Sequence, residues 1–224
     1  MARSKIIKDL VSNEISLEEA LNRLLIIASD IENDELAQWV ENELNGYSDS
    51  AELPAYRVIG IDDTDFVYSG INGRFKVENA PLPLLEILGV DKGEHPFNIP
   101  DGVNSLITLT TGKNQYGHDV TAVAEIVREK TGIFCASIRQ LVPPNVIVNV
   151  ISAIKSKLIK ALIKLDKEFG CLDELDVDIT KKDPEEVRRI NTMIINCIFE
   201  DRSIKIGDKN RIDGTEIRSG ENHG

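Results

Sequence analysis

The sequence predicts an α+β fold, and three observations predict it. The first 47 residues carry apolar side chains at helical spacing, residues 48–142 break into short β-branched and aromatic runs punctuated by Pro and Gly, and one long amphipathic stretch follows Pro143-Pro144. A helical part packed on a small, mostly antiparallel sheet is the architecture that such segregated patterns favour.

Residues 1–47 read as three helices. Ile6, Ile7, Leu10 and Val11 make the first apolar stripe. Ser16-Leu-Glu-Glu19 is a capping box, and Leu17, Leu21, Leu24, Leu25, Ala28 and Ile31 form one wide face behind it. Asn33 caps a third helix bearing Leu36, Trp39, Val40 and Leu44, which Gly46 ends. Helices this short need packing partners.

In the mixed part, residues 48–142, the expected strands are Tyr56–Ile61, Phe66–Tyr68 and Arg74–Val77, with Asn72-Gly73 as a hairpin turn. Ser105–Thr110 is a further strand candidate, with a helical start as its alternative, and His118–Lys130 reads as a helix. The long helix is expected over 145–169, because Val146, Val150, Ile154, Leu158, Leu162 and Leu165 recur every three or four residues and Gly170 stops it. A domain of residues 1–172 would then be followed by an acidic linker and short helix over 173–189. Asp183-Pro-Glu-Glu186 supplies the helix start there. Residues 190–224 read as a β-rich tail, with Met193–Phe199 apolar, Ser203–Ile206 alternating and Gly207–Asn210 a turn.

With 26 Lys plus Arg against 38 Asp plus Glu, the formal charge of −12 repels polyphosphate on average and argues against a broad nucleic-acid footprint. Three scattered cysteines, Cys135, Cys171 and Cys197, give neither a disulfide framework nor zinc spacing and fit a reducing compartment. No leader-like apolar region and no membrane-length apolar run occurs, so the expected location is the cytoplasm, with no membrane partner.

Candidate chemistry is sparse. Asp62, Asp63 and Asp65 follow a strand-like run, as the carboxylates of a divalent-metal nuclease do, and Lys76 and Glu78 would have to complete them. An acidic turn is the simpler account. A Cys135–His118–Asp119 nucleophile system has the right residue types, but Cys135 sits in the apolar run Gly132–Ala136, as a core cysteine does. His95 belongs to no metal motif, and Thr111-Gly-Lys113 lacks the flanking glycine and hydroxyl of a phosphate loop. The lysines of the long helix have no aromatic platform beside them for stacked bases. No cofactor is expected.

The string Asn33-Asp-Glu-Leu-Ala-Gln-Trp-Val-Glu-Asn-Glu-Leu-Asn-Gly-Tyr47, then Leu53-Pro-Ala-Tyr-Arg57 and Asn79-Ala-Pro-Leu-Pro83, resembles the AbiTii family of abortive-infection-associated bacterial domains over roughly residues 1–170. The resemblance implies a role in anti-phage defence and brings no catalytic residues. The tail is similar to the short Gly/Asn-turn β-motifs of bacterial amyloid-signalling proteins, in which brief strands stack between copies. Stacking, docking or oligomerisation as an ordinary hairpin, and disorder are all open to it. The expected function is therefore a non-enzymatic interaction and assembly component, partnered by further copies of itself or by a defence-system protein. Ile204, Ile206, Gly207, Asn210, Ile212 and Ile217 are the expected contact residues. A toxic effector enzyme using Asp62, Asp63 and Asp65 is the alternative.

Overall fold

In the computed structural model the described residues are 3–91, 96–112 and 115–199. The three N-terminal helices form as expected: α1 (Lys5–Ser12), α2 (Leu17–Asp30) and α3 (Asp34–Asn45). Their caps are those the sequence supplies. The Ser16 hydroxyl accepts from the Glu19 amide at 3.0 Å, and the Asn33 carboxamide oxygen accepts from the Leu36 amide at 3.0 Å. The α1 N-terminus is held from afar, since Asp166 accepts from the Ser4 amide at 3.0 Å and pairs with Arg3 at 2.9 Å.

The mixed part contains β1 (Val58–Ile59), β2 (Asp65–Asn72), β3 (Phe75–Pro81), α4 (Leu84–Leu88), β4 (Phe97–Asn98), α5 (Val103–Thr111), β5 (Tyr116–Asp119), α6 (Ala124–Thr131) and β6 (Phe134–Val142). β2, β3, β5 and β6 form one antiparallel sheet in the order β3-β2-β6-β5, and β1 pairs with β4. The Asn72-Gly73 signal marks a hairpin whose two-residue turn is Gly73-Arg74, closing on the Asn72–Phe75 pair, with Gly73 at a φ of 62°. The sheet's inner face packs under α4 and α6 through Tyr68, Leu82, Leu84, Val127, Cys135 and Ile138.

Three expectations are corrected and one open alternative is resolved. Residues 105–110 take the helical alternative and belong to helix α5, because Val103 and Leu106 share one buried face. The threonine hydroxyls are also satisfied inside that helix, Thr108 donating to the Asn104 carbonyl at 2.9 Å. Of the 118–130 stretch only α6 is α-helical, since His118 and Asp119 pair with β6. The Tyr56–Ile61 run yields only the two-residue β1 between 3-10 turns. Met193–Phe199 is no strand: it is the second half of α8 (Pro184–Phe199), where Ile190, Ile194 and Ile198 recur every fourth residue and are buried. The helix does start at the expected Pro184.

The long helix α7 (Pro144–Phe169) matches the expected 145–169 and ends at Gly170. It buries Val150, Ile154, Leu158, Leu162 and Leu165 against α1, α2, α5 and α8 in one core cluster. Leu172 and Val177 of the acidic stretch lie in that same cluster. The core therefore continues through Ile198, past the expected boundary at 172.

Two helix ends meet at glycines. A Cβ on Gly102, at the α5 N-terminus, would lie 2.3 Å from the Leu44 carbonyl oxygen, which is backbone and has no rotamer to yield. Gly102→Ala is expected to destabilise the protein by about 1–3 kcal/mol through overpacking, read as a lowered midpoint in chemical denaturation.

Candidate functional site

The residues that carry the family resemblance converge on one buried carboxylate. The last turn of α3 points Glu43 inward, and the 3-10 turn Ala55–Arg57 delivers Arg57 to it. Both side chains are 0% exposed. Arg57 Nη2 reaches Glu43 Oε2 at 2.6 Å and Arg57 Nε reaches Oε1 at 3.2 Å, so the fork is bidentate. Oε1 also accepts from the Tyr47 hydroxyl at 2.7 Å and the Tyr56 hydroxyl at 2.6 Å. Trp39 Nε1 donates to the Tyr56 oxygen at 2.9 Å. The remaining guanidinium nitrogen donates to the Ile99 and Asp101 carbonyls, both at 2.8 Å, and the guanidinium lies 4.9 Å from the Tyr47 ring centre.

A buried ion pair is tolerated only when such bonds replace the lost water. Here they do, and every polar atom is committed to a neighbour. The knot staples α3 to the 55–57 turn and to the 99–101 segment, where Tyr47 also donates its amide to the Pro100 carbonyl at 2.8 Å. Its role is architectural.

The three aspartates of the alternative metal site lie at the surface. Asp62 and Asp63 lie in an exposed 3-10 turn, and Asp65 begins β2, also exposed. Lys76 stands opposite Ile71, six positions along β2 from Asp65 and so roughly 20 Å away. Lys76 instead pairs with Glu78 at 3.4 Å. Among the described residues no group of three or more His, Cys, Asp and Glu side chains is placed to hold a metal.

The Cys135–His118–Asp119 system is not assembled either. His118 pairs with Gln140, five positions along β6 from Cys135, roughly 16 Å. His118 stacks beside Phe97 at 4.6 Å, and burial pushes the Cys135 thiol up. Trp39 is a core anchor, as its spacing suggested. Lys155 of α7 bonds the Asn13 carboxamide at 2.6 Å, and Lys157 is buried. His95, Lys113 and the tail residues Ile204, Ile206, Gly207, Asn210, Ile212 and Ile217 lie outside the described residues.

The surface that sequence reasoning did not single out is the turn end of the sheet. Phe75 is 76% exposed, Phe134 48% and Ile71 47%. Ile71 and Phe134 are register partners on the outer face, opposite the one under α4 and α6. Ser69, Gly70 and Ala136 floor a groove of about 580 Å³ there. The ladder is irregular on both sides of this floor, between Tyr68 and Gly70 against β3 and between Ser69 and Gly70 against β6. Gly70 is obligatory at that close approach: a Cβ would fall 1.9 Å from the Phe134 carbonyl oxygen. The one sequence signal was Phe75 directly after the Gly73-Arg74 turn, a large apolar side chain where polar residues are usual.

Residues 4–191 match the family model AbiTii. Neither the curated proteins nor the solved structures give a match.

Two measurements test the knot. Glu43→Ala leaves the Arg57 guanidinium buried without its counter-charge and is expected to cost about 3–5 kcal/mol, seen as a lowered denaturation midpoint. Burial, then the neighbouring Glu43 carboxylate, holds the Tyr47 and Tyr56 phenols far above their ordinary range. In the unfolded chain they titrate near 10. Below about pH 10 their contribution is complete, and above it the unfolded chain releases protons that the native state retains. Stability is then expected to fall by about 1.4 kcal/mol per pH unit for each tyrosine, a slope that Tyr56→Phe reduces in urea unfolding at alkaline pH.

Proposed function

The chain belongs to the AbiTii family of abortive-infection-associated domains, and from that premise we propose that it serves this defence as an interaction and assembly component rather than as a catalyst. The observation that carries the reading is the apolar turn end of the sheet, where Ile71 and Phe134 stay exposed beside a groove and Phe75 is exposed next to the turn. Exposed aromatic and aliphatic side chains grouped around a concavity are the usual mark of a protein contact surface.

The Glu43 knot supports the same reading, since its charged and phenolic groups are bonded to one another and leave none free for a substrate. The C-terminal residues Ile204, Ile206, Gly207, Asn210, Ile212 and Ile217 are assigned to contact on their sequence pattern, with a second copy or a defence-system protein as partner. Of membrane contact there is one structural observation: among the described residues no helix is long and apolar enough to cross a bilayer.

The test compares two full-length variants in infected cells. Asp62→Asn, Asp63→Asn and Asp65→Asn together are expected to leave protection and any growth arrest unchanged. Ile71→Ser with Phe134→Ser is expected to abolish protection while the circular-dichroism spectrum and melting profile stay native. Loss of the phenotype in the folded aspartate variant would establish the effector-enzyme reading instead.

A further inference from the structure

Resting on the assembly reading above, we propose that a second copy of the chain extends the sheet beside this groove, joined by antiparallel pairing of the two β3 edges about a two-fold axis at Val77. β3 is a terminal strand of the sheet, bonded to β2 on one side only. The two-residue turn closes on the Asn72–Phe75 pair, which is therefore hydrogen-bonded, as is the Gly70–Val77 pair two positions on. The alternation turns the backbone groups of Lys76 away from β2. Glu78 falls at the bulge opposite Ser69, where the Asn79 amide crosses to the Ser69 hydroxyl at 3.1 Å, so its backbone also faces the edge.

Charge then selects one register. For outward-facing residues to pair with each other, Lys76 must face the partner's Lys76, the partner's Glu78 must face Glu78, or the two must cross. Only the crossed register, centred on Val77, sets Lys76 opposite the partner's Glu78 and, by symmetry, Glu78 opposite the partner's Lys76. Within one chain these two side chains already approach to 3.4 Å and are otherwise in solvent, 81% and 73% exposed.

The same register organises the other face. The partner's Val77 sits across the axis in a non-hydrogen-bonded pair, where side chains approach most closely. Phe75 falls opposite the partner's Asn79 and diagonal to the partner's Val77, so the most exposed large apolar side chain among the described residues gains cover. One face of the joint is thus apolar, the other is a crossed pair of ion pairs, and the four-stranded sheet continues into its copy. Alternating charges and a bulge also serve proteins that keep an edge unpaired, and the experiment separates the two outcomes.

Full-length protein is measured by sedimentation velocity over a concentration series, alone and as K76E and E78K. Wild type is expected to dimerise, and each variant alone to associate at least about tenfold more weakly, because like charges then face each other twice. Mixing K76E with E78K is expected to restore a heterodimer of wild-type strength. In a C171S, C197S background, V77C is expected to give a disulfide-linked dimer on mild oxidation, since a non-hydrogen-bonded pair holds its Cα atoms about 4.5 Å apart. A wild-type monomer at every concentration, or a dimer indifferent to these charges, would overturn the pairing. A wild-type monomer whose defence phenotype still depends on Ile71 and Phe134 refutes the second copy and keeps an assembly role with another protein. Dependence on the aspartates refutes that role whatever the oligomeric state.

Discussion

The fold depends on a carboxylate that has no water. Glu43 is sealed between the end of α3, the 55–57 turn and the 99–101 segment, and it is held by one guanidinium and two phenols. Removing a charge from solvent is so costly that only a full set of donors makes it tolerable. That requirement acts as a specification. Arg57 must reach from its turn, Tyr47 must follow α3 at once, and the 99–101 carbonyls must face the remaining guanidinium N–H groups. A chain segment displaced by even a few ångströms would leave a buried charge unpaired. The knot thereby fixes how the helical part meets the mixed part.

The glycines beside the knot follow from the same constraint. Drawing α3 and the α5 N-terminus together to close on Glu43 brings the backbone at Gly102 against the Leu44 carbonyl, and Gly46 against the Pro100 carbonyl. Neither position has room for a Cβ. Gly46 also takes a φ of 95°, which L side chains rarely adopt. The Asn-Gly-Tyr sequence after the Trp-bearing helix thus encodes a stop, a close approach and a hydroxyl in three consecutive residues.

The sheet answers to different demands. Its inner face and its β5 end are packed, the first by α4 and α6 and the second against the helical core through Val142, Phe97 and Tyr116. The turn end has no such cover. Irregular pairing on both sides of Gly70 bends the ladder there and leaves a groove walled by Ile71, Phe134 and the stems of charged side chains. That sheet end keeps its apolar side chains in solvent where most exposed strand positions carry polar ones.

By itself the sequence determined the elements whose evidence is local. The capping groups Ser16 and Asn33, the period of α7, the Asn72-Gly73 hairpin signal and the Pro184 start are all set by a few neighbouring residues, and each stands where expected. The family was legible too, because its string is contiguous. Only the tertiary structure decided the remainder. Residues 105–110 and 193–199 are β-rich in composition yet helical, because partners on α2, α3 and α7 reward a three-to-four-residue apolar period that short windows do not reveal. β6, the strand that joins β2 to β5, had looked like an apolar run around Cys135, since its identity as a strand lies in partners some 20 to 70 residues distant. The separation of Asp65 from Lys76, and of His118 from Cys135, was likewise a matter of register, which is a property of paired strands and belongs to no single one of them.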